Sequence, residues 1–265
     1  MDYKKLTHDI FTGNTKDLGG RVSLLYRRSR RAVYALSHGK KESDELLLIP
    51  VIINNRNRYS YLVMLIAWLE RAGMKNIVIL DNDSTYPALL AYYEKCKHKV
   101  VKLGRNVGPR ALWETPSLKG YTKDYYIYTD PDVVPDAAVG ADAIELMYKG
   151  LYEHVYLDKI GFSLHINDLP DHFKLKADVI QWEKQFWVNR VDENFFAAPV
   201  DTTFAMYAPF AQGGGECKAW RTDSPWSARH MPWYENSLSP TEEDEYYRTH
   251  AAPQNSHWTN LTVAK

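Results

Sequence analysis

Apolar residues in the first half of the chain fall into four continuous runs of strand length, and each run stops at amide or charged residues. The first, in ELLLIPVIINN, ends at Asn54 and Asn55; an unbroken run without alternation is the pattern of a strand covered on both faces. In YSYLVMLIAWLERAG the apolar spacing becomes helical, and Gly73 stands where a helix C-cap is expected. NIVILDNDS reads as a second buried strand, YPALLAYYEKCK as a helix, HKVVKLGRNVG as a third strand with its loop, and DYYIYTDPD as a fourth. Strand, helix, strand in that order calls for parallel pairing through right-handed crossovers. The pattern predicts an α/β protein built on an open, doubly wound sheet.

The second half changes character. KIGFSLHIN and VDTTFAMYA read as strands around a helix, KADVIQWEKQFWVNR, and the chain beyond QGGGECKAWR reads as loop-rich through TDSPWSARHMPWYENSLSPTEEDEYYRTHA. The acids EEDE at 242–245 fit a solvated helix start. Neither a repeat nor a low-complexity linker divides the chain. The predicted organisation is an N-terminal extension over 1–45, a first half over 46–135, and a second half with a C-terminal lid or tail over 136–265. One continuous domain runs from 46 to about 235.

A chain of 265 residues can bury a substantial core. Its 33 basic and 33 acidic residues cancel, which gives no bulk attraction for nucleic acid and leaves anion binding to local patches. Two cysteines, Cys96 and Cys217, are too few for a disulfide framework and suit a reducing compartment. No run reaches the roughly 18 apolar residues of a membrane-spanning helix, and MDYKKLTHDIFTG lacks the apolar centre of a signal peptide. The expected location is cytoplasmic. The basic run YRRSRRAVY has two readings, a solvated helix face or peripheral contact with an anionic membrane face. The chain holds nineteen tyrosines and eight tryptophans, and six of the tryptophans fall in the second half, where core packing and the stacking of sugars both suit them.

In open α/β sheets ligands bind beyond the carboxyl ends of the strands. That rule selects Asn54, Asn55 and Arg56, then Asp81, Asn82 and Asp83, then Arg105, Asn106 and Gly108, and finally Asp130 and Asp132. In YYIYTDPDVVP, Pro131 stiffens the link between the two acids. Such a segment is either a turn or a site for a hard cation, which needs converging oxygen ligands.

A nucleotide-binding α/β half, a strand ending in Asp-x-Asp near the middle, LDNDSTYPALLAYY, GRNVGPRALW and an aromatic second half together resemble the GT-A glycosyltransferases. The resemblance is to the family 2-like enzymes of bacterial surface polysaccharide synthesis and covers about residues 46 to 235. It implies a Rossmann-like mixed sheet flanked by helices, and sugar transfer from a nucleoside-diphosphate sugar, UDP-sugar favoured, to a glycan or lipid-linked acceptor. It places Asn55, Arg56 and Asp81 around the nucleoside, with Asp83 as a substitute for Asp81. It assigns Asn106 and Gly108 to the nucleotide pocket and Arg110 to phosphate. Asp132 would ligate Mn²⁺ or Mg²⁺, Asp130 would hold ribose or a metal-bound water, and His230, in ARHMPWY, would complete the metal shell.

Arg221 and Arg229 are further phosphate candidates. For the catalytic base the candidates are Asp201 and Glu183, although the Glu-Asp or Asp-Asp pair common at that position is absent between 137 and 240. Trp182, Trp187, Trp226, Trp233 and Tyr234 are candidate acceptor platforms, and the glycines at 213–215 predict a mobile loop ahead of a closing lid. Two other classes share these features: a haloacid dehalogenase-type phosphatase with Asp130 as nucleophile, and a non-catalytic carbohydrate-binding protein. Three strand-like runs precede the Asp-x-Asp here, whereas the phosphatase motif belongs on a first strand.

Overall fold

The computed structural model describes residues 18–201, 204–213 and 217–250, with side chains from Val22 onward. Within them the protein is mixed α/β, with an eight-stranded sheet flanked by helices and a second, three-stranded sheet. The four apolar runs become β1 (Val51–Asn55), β2 (Ile77–Asp81), β3 (Lys99–Lys102) and β4 (Tyr126–Thr129). They lie side by side and parallel in the order β3-β2-β1-β4. Every residue of β1, β2 and β4 is buried, as expected of central strands without polar alternation, whereas β3 is partly exposed at the edge. Between them run α3 (Ser60–Arg71), the expected crossover helix, and α4 (Pro87–Tyr93), which starts at a proline. The preceding segments form α1 (Leu18–His38) and α2 (Ser43–Leu46), and α5 (Ala111–Glu114) follows β3.

Beyond β4 the sheet ceases to be parallel. The strands β6 (Lys159–Gly161), β8 (Phe195–Ala197), β9 (Ala205–Tyr207) and β10 (Ala219–Thr222) extend it in the order β4-β9-β6-β10-β8. Here β9 is antiparallel to both β4 and β6, and only β6 and β10 run parallel. The doubly wound expectation therefore holds for the first half alone. Helix α6 (Asp142–Glu153) packs its buried face, including Ile144, Met147 and Leu151, into the core shared with α3. Helix α7 (Lys176–Glu183) lies in the second half, within the segment whose spacing predicts a helix.

The stretch that reads as loop-rich is largely ordered into elements. It contains β11 (Ser227–His230) and α8 (Glu242–His250), and β10 ends at its first residue, Thr222. Strand β11 is central in the small sheet, antiparallel to β5 (Val133–Pro135) and parallel to β7 (Ser163–Leu164). Three or four residues are too few to show periodicity, which is why β5 and β11 are silent in the sequence, whereas β7 lies inside the run KIGFSLHIN that reads as a strand. Gly213 is described, but Gly214 and Gly215 of the expected mobile loop lie outside the described residues, as do Thr202 and Thr203 of the DTT motif.

The N-terminal extension is joined to this body. Arg31 of α1 is buried, pairs with Asp158 at 2.5 Å, and donates to the carbonyls of Leu157 (2.8 Å) and Pro209 (3.1 Å). Arg28 is also buried, over the Tyr156 ring. The basic run is thus not a uniformly solvated face. No helix among the described residues is long and apolar enough to cross a membrane.

Candidate functional site

The parallel strands bring their polar endings together because β1 and β2 are in register from Val51↔Ile77 to Asn55↔Asp81. Asn55 is wholly buried and donates to the Tyr93 hydroxyl at 2.9 Å, and that hydroxyl reaches Asp81 Oδ1 at 3.3 Å. Burial first, then the Asp81 charge, raises the Tyr93 pKa. Asn55 therefore braces the strand ends from inside through its Nδ2, while its Oδ1 is buried without a partner. Asp81 also accepts from the Ser84 N–H at 3.3 Å. Arg56 reaches across to the His250 carbonyl at 2.6 Å, and Asp83 stands exposed with a left-handed backbone, φ 69°.

The loop after β3 is pinned to the same crevice. The side-chain amides of Asn54 and Asn82 both donate to the Gly108 carbonyl, at 3.3 and 2.9 Å, while Asn82 Oδ1 accepts from Val107 N–H at 2.6 Å. Asn106 Oδ1 accepts from Gly108 N–H at 3.0 Å. Gly108 has φ 86°, and a side chain there would meet nothing within 4 Å. Glycine is needed for the backbone conformation, and its open side faces the crevice. Arg110 pairs with Glu114 at 3.1 Å and donates to the Gly213 carbonyl, so its guanidinium is tied to the loop ahead of β10.

At the end of β4 the chain turns through Asp130, Pro131 and Asp132 into β5. Pairing of β11 with β5 sets His230 opposite Val133, and Met231 N–H donates to the Asp132 carbonyl at 2.8 Å. His230 Nε2 consequently lies 3.8 Å from Asp132 Oδ2. Asp132 Oδ1 and His230 Nδ1 are both buried without a hydrogen-bond partner. Burial lowers the His230 pKa and Arg58 adds to the effect, with Asp132 opposing them, so the imidazole is neutral at pH 7. A neutral imidazole and a carboxylate with orphaned atoms make a donor set suited to a divalent cation. Among the described residues no three or more His, Cys, Asp and Glu side chains gather as a group able to hold a metal ion. Burial raises the pKa values of Tyr128, Tyr207 and Tyr247, and the charge of Asp130 adds to the effect at each.

The residues that close this end are ones the sequence pattern does not single out. The acidic start of α8 reads as solvated, yet Glu243 and Asp244 are buried. Glu243 accepts from the backbone N–H groups of Tyr59 (2.8 Å) and Ser60 (3.1 Å) and from the Ser60 hydroxyl (2.6 Å). Asp244 pairs with Arg58 at 2.8 Å, and Glu235 adds a second carboxylate at 3.4 Å. Burial opposes the Arg58 charge, but Glu235 and Asp132 outweigh it and raise its pKa. The Tyr247 ring lies 3.9 Å from the Arg58 guanidinium carbon, and Tyr246 meets the Tyr86 ring and bonds Thr85 at 3.0 Å. The available signal is the pair Tyr246 and Tyr247 immediately after the acids, which marks one face of a polar helix as docked.

A second group forms between β6, β9 and β10. Glu183 and Arg221, both buried, pair at 2.7 Å, and Arg221 also donates to the Pro199 carbonyl at 2.7 Å. Arg221 is therefore an internal residue and not a phosphate contact. Burial raises the Glu183 pKa, against the pull of Arg221. Asp201 is exposed, and its carbonyl accepts from the buried Lys159 at 3.4 Å. Burial lowers the Lys159 pKa, and the same ammonium donates to the Tyr207 hydroxyl at 3.3 Å.

The aromatic candidates disperse. Trp233 is in the core, its ring 4.8 Å from that of His230. Trp226 bonds Asp142, Trp187 packs against Phe196, Tyr234 bonds Asp168, and Trp182 is exposed. Arg229 is held by Asp136 and Asp168 on the small sheet, away from a phosphate role. No protein-family model and no curated protein matches the chain.

Proposed function

We propose that the protein is a metal-dependent glycosyltransferase of the GT-A kind, transferring a sugar from a nucleoside-diphosphate sugar, UDP-sugar favoured, to a glycan or lipid-linked acceptor. The observation that carries this reading is the β5–β11 pairing, which sets His230 beside Asp132 at the carboxyl end of the parallel strands. Asp132 Oδ1 and His230 Nδ1, buried without partners, leave acceptor atoms of both residues uncommitted. The crevice floor of Asn54, Asp81, Asn82 and Gly108 supports a nucleoside beside that point, as expected where parallel strands end.

Asp132 and His230 are the pair that would ligate Mn²⁺ or Mg²⁺, with Asp130 contributing through a metal-bound water or the ribose. Such an ion supplies Lewis-acid neutralisation of the charge that grows on the leaving diphosphate. The neutral state of His230 suits ligation, and the buried Arg58 contributes a fixed positive charge near Asp132. Asp201 is the favoured general base for the acceptor hydroxyl because it is exposed, whereas the Glu183 carboxylate is engaged by Arg221 inside the protein. Glu183 and Arg221 then act as a brace behind the Pro199–Asp201 segment.

Calorimetric titration of UDP and GDP, with Mn²⁺ and then with EDTA, tests the reading. Metal-dependent binding of one nucleotide, abolished in Asp132→Ala, is the expected result. Absence of binding by either nucleotide under both conditions would refute it.

A further inference from the structure

Helix α1 carries an apolar stripe that the rest of the described chain leaves uncovered. Val22, Tyr26, Val33 and Leu36 are 59%, 62%, 64% and 50% exposed, whereas single exposed apolar side chains elsewhere are scattered. At 3.6 residues per turn these four fall within an arc of roughly 80°. The opposite side of the helix is fastened to the body by Arg28 and Arg31, so the stripe points outward by construction. Ala32 and Ala35 are buried with them.

Charge decides what covers the stripe. From Leu18 to Lys41 the sequence holds five arginines and no aspartate or glutamate. Arg28 and Arg31 are held by internal contacts, whereas Arg30 is exposed beside the stripe. Arg30 lies over both the Tyr26 ring, at 5.6 Å, and the Phe210 ring, at 3.8 Å. Phe210 N–H donates to the Thr122 carbonyl, which brings the exposed Lys123 to the same edge. The nearby Asp124 is neutralised by Lys41 at 2.9 Å. A second copy of α1 laid on the first would oppose arginine to arginine with no acid on either helix to answer it. An anionic surface with an apolar interior satisfies both features at once.

We propose that the outer face of α1 docks on an anionic lipid bilayer, with Val22, Tyr26, Val33 and Leu36 in the acyl boundary and Arg30 and Lys123 at the phosphates. A helix of this kind lies in the interface and does not cross it. The tyrosine sits at headgroup depth, where an amphipathic ring is favoured, and the arginines extend to the polar layer. Because α1 packs against Leu157, Pro209 and Tyr125, at the start of β6 and β4, the bilayer lies at the end of the sheet remote from Asp130 and Asp132. The crevice would then open away from the lipid, toward an acceptor that projects from the surface. The inference stands whether or not the crevice binds nucleotide.

The test is flotation of the full chain with vesicles of phosphatidylcholine alone or mixed with phosphatidylglycerol, at low and high salt. Binding is expected only to the mixed vesicles. It should weaken about fivefold in Arg30→Glu and with added salt, and by about tenfold or more in the double variant Val33→Asp, Leu36→Asp. Both variants replace exposed side chains, and unchanged unfolding midpoints would show that the fold is intact. No binding to the mixed vesicles, or binding indifferent to both variants, overturns the proposal. So does a concentration-dependent doubling of mass, abolished by the double variant and without vesicle binding, because it would give the face to a second copy.

Discussion

Glu243 and Ser60 meet at the amino end of α3, where the Glu243 carboxylate takes the N–H and the hydroxyl of Ser60 and the N–H of Tyr59. The side chain of α3's own cap residue makes no such bond. The free N–H groups of a helix start are thus satisfied by a residue from the far end of the chain, and the carboxylate also faces the positive end of the helix dipole. Glu243→Ala should lower stability by about 1–2 kcal/mol, as loss of a helix cap does. Denaturant unfolding checks this, and Glu243→Gln should be less costly because an amide oxygen can still accept.

Glu235 makes the docking of α8 dependent on pH. Burial first, with Asp244 adding to it and Arg58 and Tyr61 opposing, raises its carboxyl pKa to about 7. The folded chain therefore holds a proton that the unfolded chain releases at about pH 4.3. Stability from this group is fully present below that lower value and falls as pH rises toward 7. Thermal midpoints measured across this range should show the decline, and Glu235→Gln should flatten it.

His230 gives a different pH signature. Its pKa lies below the ordinary imidazole value because of burial, so the metal-binding neutral form persists under mildly acidic conditions. On acidification, manganese-dependent nucleotide affinity should fall through His230 only below the ordinary imidazole pKa of about 6.5. His230→Ala should reduce that affinity by about tenfold to a hundredfold. Calorimetry at a series of pH values reads both effects; a decline already under way near neutrality would contradict the assignment.

The two candidate bases separate cleanly. Asp201→Asn should cut turnover by about a hundredfold to ten-thousandfold, the usual worth of a positioned base, while leaving nucleotide affinity and unfolding midpoint unchanged. Glu183→Ala should instead destabilise the fold by about 3–5 kcal/mol, because it strands the Arg221 charge inside. Paired measurement of turnover and unfolding in the two variants distinguishes base from brace.

Gly108→Ala tests the loop after β3. With φ at 86° and no neighbour within 4 Å, the substitution brings no clash but forces a left-handed backbone on alanine. A cost of about 1–2 kcal/mol is expected. The shift of a carbonyl held by Asn54 and Asn82 should also weaken nucleotide binding, measurable in the same titration.

Residues 46 to 135 are legible because burial on both faces of a central strand demands continuous apolar runs, which stand out in β1, β2 and β4. The placing of their polar endings, from Asn54 to Asp132, at one edge of the sheet follows from the runs themselves, since parallel strands end on the same side. The short strands β10 and β11 carry no such signal, and the chain around them reads as loop. Glu243 and Asp244 escape notice for a related reason: an acidic run is solvated unless particular donors are brought to it, and Ser60 and Arg58 come from elsewhere in the chain.

By itself the sequence determined the parallel half of the sheet and the polar residues at its strand ends, because local apolar periodicity encodes those directly. Only the tertiary structure decided that His230 lies beside Asp132, that Glu183 is held by Arg221, that Asn55 faces inward, and that α8 closes the amino end of α3. Each of these is a pairing between residues remote in the chain. Packing of whole elements chooses such partners, and no property of either residue alone can name the other.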